Sequence, residues 1–531
     1  MKVVVYTLGC KVNQYESDGL IVKLKQKGYD VYTDIVPADV YILNSCAVTN
    51  EAEKKSRQTI SKFKEQNKNA KIMVCGCASQ KNPNQFKDIQ GVSFVSGTAN
   101  KIKLIDSWEK QGIFNDELPL EYEEEGTSIP TKTRAYIKIQ DGCNNFCTYC
   151  IIPYLRGRSR SRDLKSILNE IDSLSKTVKE IVITGINITD YKIDGKKSFD
   201  VLVKELRQFK DVRFRLGSIE QGLIEEDFIK EIAGSNICPH FHLSLQSGCD
   251  KTLKKMNRKY TTAQFENSVK LLRKYFDNPS ITTDVIVGFP EETEEDFKQT
   301  CEFVKKIGFY NIHIFPYSKR SGTVAEKMQQ VDGNIKKQRV KLLTEINKQL
   351  NQNYIKLCEN KIYDLLIEEK IDEYMVGHTQ NYIKCYVKCD CKENEIIKVK
   401  ITEPYLDGAK AIVINKIKEN NMDNCIFCKI SRGEIPSKKF YEDDDFFVIQ
   451  DINPKAKKHY LAIPKNHYAY LCEQNKKDIE ILGKIINKIS LLVGELGLQN
   501  GYRLIINQGE DGRQEVKHLH VHILGGEKLP D

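Results

Sequence analysis

The sequence predicts a multidomain α/β protein: a small parallel α/β unit, a partial (β/α)6 barrel, a small β-barrel and a separate C-terminal domain. Three observations predict it. At 531 residues the chain is too long for one core. Short apolar strands alternate with amphipathic helical runs, first on a short scale and then on a longer one. Polar or acidic stretches without apolar period separate these regions. Apolar residues at 40% and charged residues at 29% are ordinary for a soluble globular protein. No run approaches the roughly 18 consecutive apolar residues of a spanning helix, and MKVVVYTLGCKVNQ lacks the regions of a secretion signal. The expected location is cytoplasmic, with no membrane partner.

Residues 1–115 read as strand KVVVYTLG, a helix near 14–28, strand DVYILNSC, a basic helix and strand KIMVCGC, which is a parallel α/β unit. The basic helix holds Lys54, Lys55, Arg57, Lys62 and Lys64, a run that suits either a polyanion or a solvated face. An acidic linker, 116–133, follows. The barrel occupies 134–357, with strands expected at 135–140, 180–185, 213–218, 241–246, 281–288 and 311–317. Six such strands with crossover helices place chemistry at the C-terminal strand ends. A long helix near 335–357 spaces Val340, Leu343, Ile346 and Leu350 for packing. Residues 358–420 give short β-like runs, IYDLLIEE, YIKCYVK, EIIKVKITE and KAIVINKI, which predict a small barrel. After ENNMDN a last domain, 421–531, opens at Cys425.

Seventeen cysteines outside an oxidising compartment point to metal or redox chemistry rather than a disulfide frame. Cys143, Cys147 and Cys150 follow the first barrel strand as C-x3-C-x2-C. Three thiolates so close can hold three irons of a cubane and leave the fourth open to chelate S-adenosylmethionine. Phe146 and Tyr149 within the loop would shield it. A zinc site lacking a ligand, or buried thiols without metal, are the plainer readings.

On these residues the sequence resembles the radical-SAM superfamily, and within it the methylthiotransferase family, over almost all of residues 1–418. That family carries three further N-terminal cysteines, here Cys10 in LGCKVNQ, Cys46 in LNSCAVTN and Cys77 in VCGCASQ, each at a strand end. Cys75 lies inside its strand, while Cys77 fits the family's GC-x-x-Q pattern. The resemblance implies two 4Fe-4S clusters, S-adenosyl-L-methionine and an electron donor such as flavodoxin or ferredoxin. Around the cofactor and acceptor base it places Gly185, which would let the backbone come close, with Asn187, Ser218, Glu220 on ribose hydroxyls, and Gln246. Asp284, His313, Tyr317 and Ser318 belong to the same strand-end set. Two departures stand out: GFPEET has Glu291 where the family has Gly, which argues against a strained turn there, and QSGSD appears as QSGCD.

Residues 358–418 resemble a TRAM domain, an OB-like RNA-binding barrel, through EEKIDEYMVGHTQNYIKCYVK. The run YLRGRSRSR sets Arg156, Arg158, Arg160 and Arg162 where a tRNA backbone is expected against the active-site mouth. NSCAVTNEAEKKSR and HIFPYSKR look most like family members acting on N6-threonylcarbamoyladenosine in the anticodon loop. An isopentenylated adenosine, or an Asp of a ribosomal protein, is the alternative. In the implied chemistry one S-adenosylmethionine methylates sulfur on the auxiliary cluster, and a second yields the radical that opens adenine C2–H.

The C-terminal run KHLHVHI alternates His518, His520 and His522, which on a strand would put all three on one face. With CIFCKISRGEIP and NQGEDGRQEV, residues 421–531 resemble the histidine-triad (HIT) family, an α+β fold. By that resemblance His520 is the nucleophile toward the α-phosphorus of a purine nucleotide. His522 and His459 would contact phosphate, Asp451 the ribose, and Asn507 and Gln514 the nucleophile's surroundings. Cys425, Cys428, His467 and His518 match the family's zinc-binding subset. Arg513 stands where a Gly usually precedes the Gln. The resemblance also suggests a homodimer through this domain. A nucleotide-binding module without catalysis, or a degraded passenger, is the competing reading.

Overall fold

The computed structural model describes residues 1–124, 133–220, 222, 224–414, 425–469 and 479–530. They form two compact units, Met1–Ile414 and Asn415–Asp531. The junction expected at Asn420–Asn424 lies outside the described residues, as do linker positions 125–132.

In the first unit a six-stranded parallel sheet runs in the spatial order Asp30–Tyr32, Lys2–Thr7, Val40–Ser45, Lys71–Gly76, Val92–Ser96, Gly112–Phe114. Val40–Ser45 is buried at every position, as a central strand covered on both faces should be. The helix Lys11–Gln26 follows the first strand, and the basic helix Asn50–Gln66 follows the third. Thr49 caps the latter by accepting from the Ala52 N–H at 3.1 Å. Its Lys54, Lys55 and Lys62 are exposed. The described part of the acidic linker is pinned down: Asp116 pairs with Lys103 at 2.8 Å, and the Tyr122 hydroxyl donates to the Lys138 carbonyl at 2.9 Å.

The barrel has six parallel strands in two groups. Arg134–Asp141, Glu180–Gly185 and Arg213–Leu216 pair with one another, as do His240–His242, Ser280–Val287 and Asn311–Pro316. Single bridges, Phe214 to Ile237 and Ile219 to Leu243, join the groups into one arc. The fourth strand is shorter than expected, because beyond His242 the chain is held only at isolated points such as Gln246 to Val285. Outward-facing Ile137, Ile183, Phe214 and Val285 pack with helix residues such as Ile167 and Phe265 into the largest core. Leu343, Ile346 and Leu350 of the helix Gly333–Leu357 join that core, with Val340 at its edge.

Residues Ile362–Ile371, Tyr374–Thr379, Lys384–Val387, Ile396–Tyr405 and Gly408–Val413 close a small barrel. It adds one strand, Tyr374–Thr379, to the four runs expected. It docks at the N-terminal strand ends of the large barrel, opposite the cysteine loop. Arg213 donates to the Asp364 and His378 carbonyls at 3.0 and 2.9 Å, and Arg215 to Gln380 at 3.1 Å. Both guanidiniums share Glu180 at 2.8 Å, and the Tyr382 ring stacks on His240 with centroids 4.6 Å apart. The floor of the large barrel is thereby sealed. The disulfide among the described residues joins Cys389 to Cys391, two positions apart, and frames nothing.

The second unit is an antiparallel sheet in the order Lys439–Glu442, Phe446–Gln450, Lys458–Pro464, Val521–Gly525, Tyr502–Ile505. Strand alternation divides its side chains. Phe446, Val448 and Ala462 meet Ile481, Ile485 and Ile489 of the helix Ile479–Leu492 on one face. On the other, Phe447, Ile449 and Ile463 meet Phe427 and Ile430 of the helix Ile426–Ser431. Of the three alternating histidines only His522 lies within a strand. His518 and His520 precede it, which lets His518 turn toward the cysteine pair. No helix among the described residues is long and apolar enough to cross a membrane.

Candidate functional site

Cys10, Cys46 and Cys77 stand just beyond the C-terminal ends of three adjacent parallel strands. Cys10 caps the helix Lys11–Gln26, Cys77 opens a short helix, and Cys46 follows Ser45. The loops are tightly nested. A Cβ on Gly9 would meet the Cys46 Sγ at 3.0 Å, and one on Gly76 would meet the Ser45 carbonyl at 2.5 Å. Burial pushes the Cys46 thiol up to about 11, with Cys77 and Cys10 adding repulsion. Cys77 is raised by burial and opposed by Arg156 and Lys101. Cys75 faces the other side of the sheet, in the cluster of Val3, Leu20 and Leu24, while Cys46 and Cys77 share the opposite one.

On the barrel loop, burial pushes Cys143 up to about 11 and Cys150 up to about 12. Phe146 takes a left-handed backbone, φ +47°, to fold the loop back. Arg258 donates to the Cys147 Sγ at 3.4 Å and to Glu220 at 3.3 Å. Glu220 also receives both Asn145 bonds at 2.7 Å and a long one from Asn187 at 3.5 Å. The Asn187 N–H is fixed by the Gln140 side chain at 2.7 Å. Asn145, Gln140 and Arg258 belong to this bonded group and were not singled out in the sequence; Asn145, inside the cysteine motif, carried a local signal and Arg258 carried none. Gly185 is closed in by the adjacent strand, since a Cβ there would stand 3.0 Å from the carbonyl of its registered partner Gln140. Ser218 is exposed beyond its strand. Gln246 is left-handed at φ +68° and lines a cavity of about 220 Å³ with Thr49, Tyr149, Asp284, Tyr317 and Arg320. That cavity borders the Cys46 loop through Val48 and Thr49, and the Cys150 loop through Tyr149.

Two expectations are corrected here. Glu291 does hold the strained turn, at φ +61°. The arginine run is mostly not a surface for tRNA. Arg156, Arg160 and Arg162 are buried in ion pairs with Glu16, Asp141 and Glu170, and only Arg158 is exposed, over the Phe146 ring at 4.5 Å.

In the second unit, Cys425 and Cys428 face His518 Nδ1 at 3.4 and 3.6 Å, and Cys428 faces His467 Nδ1 at 3.2 Å. The His518 Nε2–H donates to the Pro464 carbonyl at 2.9 Å, which leaves Nδ1 bare toward the sulfurs. His520 Nδ1–H donates to the His518 carbonyl at 2.6 Å. His459 Nε2 and His522 Nδ1 share a hydrogen bond of 2.9 Å, flanked by Asp451 at 3.3 Å and Asn507 at 3.3 Å. Burial lowers His520, and pushes His522 down to about 4. His520, His522, Asp451, Asn507 and Arg513 line a cavity of about 360 Å³. Gln514 is used elsewhere: it accepts from the Gly509 N–H and donates to the Ala469 carbonyl.

Residues 137–304 match the family described as radical SAM superfamily, and residues 2–97 that described as uncharacterized protein family UPF0004. The threonylcarbamoyladenosine tRNA methylthiotransferase MtaB of Bacillus subtilis is 40% identical over 427 residues, covering 76% of this chain and 95% of that protein. The chain belongs to the radical-SAM tRNA methylthiotransferases. The tRNA-2-methylthio-N(6)-dimethylallyladenosine synthase of Thermodesulfovibrio yellowstonii, another such methylthiotransferase, is 33% identical, covering 78% and 99%. Membership implies iron–sulfur clusters, S-adenosylmethionine, tRNA and a source of electrons. Unlike those relatives, this methylthiotransferase continues into a second unit, whose residues 424–529 match the family described as scavenger mRNA decapping enzyme C-term binding. A solved histidine triad protein from Clostridium difficile is 50% identical there, covering 20% of this chain and 95% of that one, with a TM-score of 0.20.

Proposed function

We propose that this chain converts N6-threonylcarbamoyladenosine beside the tRNA anticodon to its 2-methylthio derivative, and that its second unit cleaves a nucleotide ester or phosphoramidate. The carrying observation is the cavity bordered at once by the Cys46 and Cys150 loops. A base held there has a thiol triad on either side. Each triad fits a cluster: three thiols gather at adjoining loop ends, and burial disfavours the thiolates of Cys46, Cys77, Cys143 and Cys150 until iron compensates. When bound, the clusters and S-adenosylmethionine supply sulfur and a radical, which an adenine C–H of no useful acidity requires. Cys10, Cys46 and Cys77 would hold the auxiliary cluster, and Cys143, Cys147 and Cys150 the cleaving one. Glu220, locked by Asn145 and Arg258, orients the cofactor's ribose, with Asn187, Ser218, Gly185 and Gln246 around it. The choice of modified base rests on the MtaB relative's 40% identity against 33% for the dimethylallyladenosine synthase.

In the second unit, the tautomer fixed by the His518 carbonyl leaves His520 Nε2 with a lone pair, and burial keeps the ring neutral. That is the form a nucleophile needs. The His459–His522 pair, with Asn507, would receive the phosphate and Asp451 the ribose. Cys425, Cys428, His467 and His518 offer a closed tetrahedral zinc set. A flavodoxin- or ferredoxin-like donor, a purine nucleotide and a second copy paired through this unit complete the proposed partners. The test is mass spectrometry of tRNA nucleosides from cells with and without the gene. Deletion is expected to remove the 2-methylthio derivative and leave threonylcarbamoyladenosine to accumulate. Loss of methylthio-isopentenyladenosine instead would overturn the substrate.

A further inference from the structure

The inner wall of the large barrel carries a second kind of ligand set. His242, Asp284 and His313 stand on three neighbouring parallel strands, where Asp284 is the registered partner of His313 and Thr282 that of His242. The His242 Nε2 lies 3.2 Å from one Asp284 oxygen, and His313 Nδ1 lies 3.3 Å from the other. One ligand atom from each falls within 4.8 Å of the others. Exposure of the side chains rises from 11% at His242 to 25% at Asp284 and 52% at His313, so the set opens toward solvent at one end.

We propose that His242, Asp284 and His313 form a mononuclear site for a divalent first-row cation at the edge of the barrel cavity. Two imidazoles and one carboxylate suit such ions and leave coordination positions open. His242 is oriented as metal-binding histidines are, through its other nitrogen: Nδ1 lies 3.0 Å from the Thr282 hydroxyl, which in turn lies 3.0 Å from His240 Nε2. A hydroxyl both donates and accepts, so this relay serves the tautomer that leaves His242 Nε2 bare. Asp284 also lines the 220 Å³ cavity, so an ion on its carboxylate borders the space assigned to the base. Its open positions would take oxygen donors, and a threonylcarbamoyl group brings a carboxylate and a hydroxyl. That last role rests on the proposed substrate; the ion site does not.

The test is zinc content after equilibrium dialysis of the full, anaerobically cluster-loaded chain against Zn²⁺. About two zinc ions per chain are expected, one in the cysteine–histidine set of the second unit and one in the barrel. His313→Ala, at a half-exposed position that folding can spare, should lose one, and Cys425→Ala with Cys428→Ala should lose the other. Wild-type protein with about one zinc that vanishes in the cysteine variant would overturn the site. So would a second zinc that survives both His242→Ala and His313→Ala. Nucleoside analysis tests the substrate separately, so either reading can fail alone.

Discussion

Glu291 and Arg513 hold left-handed backbones, φ +61° and +55°, that crowd a Cβ against its neighbouring carbonyl. Each stands where the related pattern carries Gly, so the fold has kept the turn and lost the residue that makes it easy. Other bonds enforce the conformation: the Glu291 N–H donates to the Gln329 carbonyl at 2.9 Å and its carboxylate pairs with Lys255 at 2.8 Å. Arg513 is held by its N–H on the Glu510 carbonyl at 2.9 Å. Arg513→Gly should therefore change stability by no more than about 0.5 kcal/mol, whereas Arg513→Val should cost about 1–2 kcal/mol. Thermal unfolding of the two variants decides this; equal melting points would contradict the strain. The sequence suggested the opposite for Glu291 because side-chain identity reports preference, while distant backbone partners set the path. The cysteine loop, by contrast, was legible, since C-x3-C-x2-C is a local spacing on one turn. Gln514 was not, because its partner Ala469 lies 45 residues away.

At the scale of elements, the helix Lys11–Gln26 is fastened to the barrel by buried charge. Glu16 pairs with Lys101, with Lys138 at 3.0 Å and with Arg156 at 2.7 Å; Arg156 and Lys138 also reach Asp141 at 3.1 and 3.3 Å. All five are nearly inaccessible to water. Arginines at alternating positions looked like an RNA-facing strip because their burial depends on tertiary packing, above all on Glu16, which lies 140 residues from Arg156. Strand and helix positions, set by local apolar period, were read much more closely. Removing one member strands its partners without solvent, so Arg156→Ala should cost about 3–5 kcal/mol, measured by denaturant unfolding. A loss below about 1 kcal/mol would mean that water reaches the network. The same network sets an acid limit. Although burial opposes it, the neighbouring cations hold Glu16 and Asp141 below their ordinary carboxylate values in the folded state. Their contribution is fully present above the unfolded values near pH 4 and is lost as pH falls from there through the lower folded values. Stability of the first unit should decline below about pH 4, and Glu16→Gln should flatten that slope.

At the scale of the whole molecule, each unit closes its own core and carries its own candidate site. The first holds both cysteine triads, the barrel cavity and the small barrel sealing the barrel floor. The second holds a sheet covered on both faces, the Cys425–Cys428–His467–His518 set and the 360 Å³ cavity at His520. A core of about 110 residues suffices for independent folding, and zinc would reinforce it. A fragment 422–531 is therefore expected to cleave a purine nucleoside phosphoramidate with no iron present. His520→Ala should abolish that activity while leaving the fold intact, because the ring fills the cavity wall and the core beneath it is Phe427, Ile449 and Ile463. The complementary fragment 1–420 should retain all the iron, about eight atoms per chain for two cubanes, and should still modify tRNA. Circular dichroism, iron analysis and the two activity assays read these outcomes separately. An insoluble C-terminal fragment, or an N-terminal one that binds tRNA without turnover, would show that the units depend on each other and that the fusion is more than two enzymes on one chain.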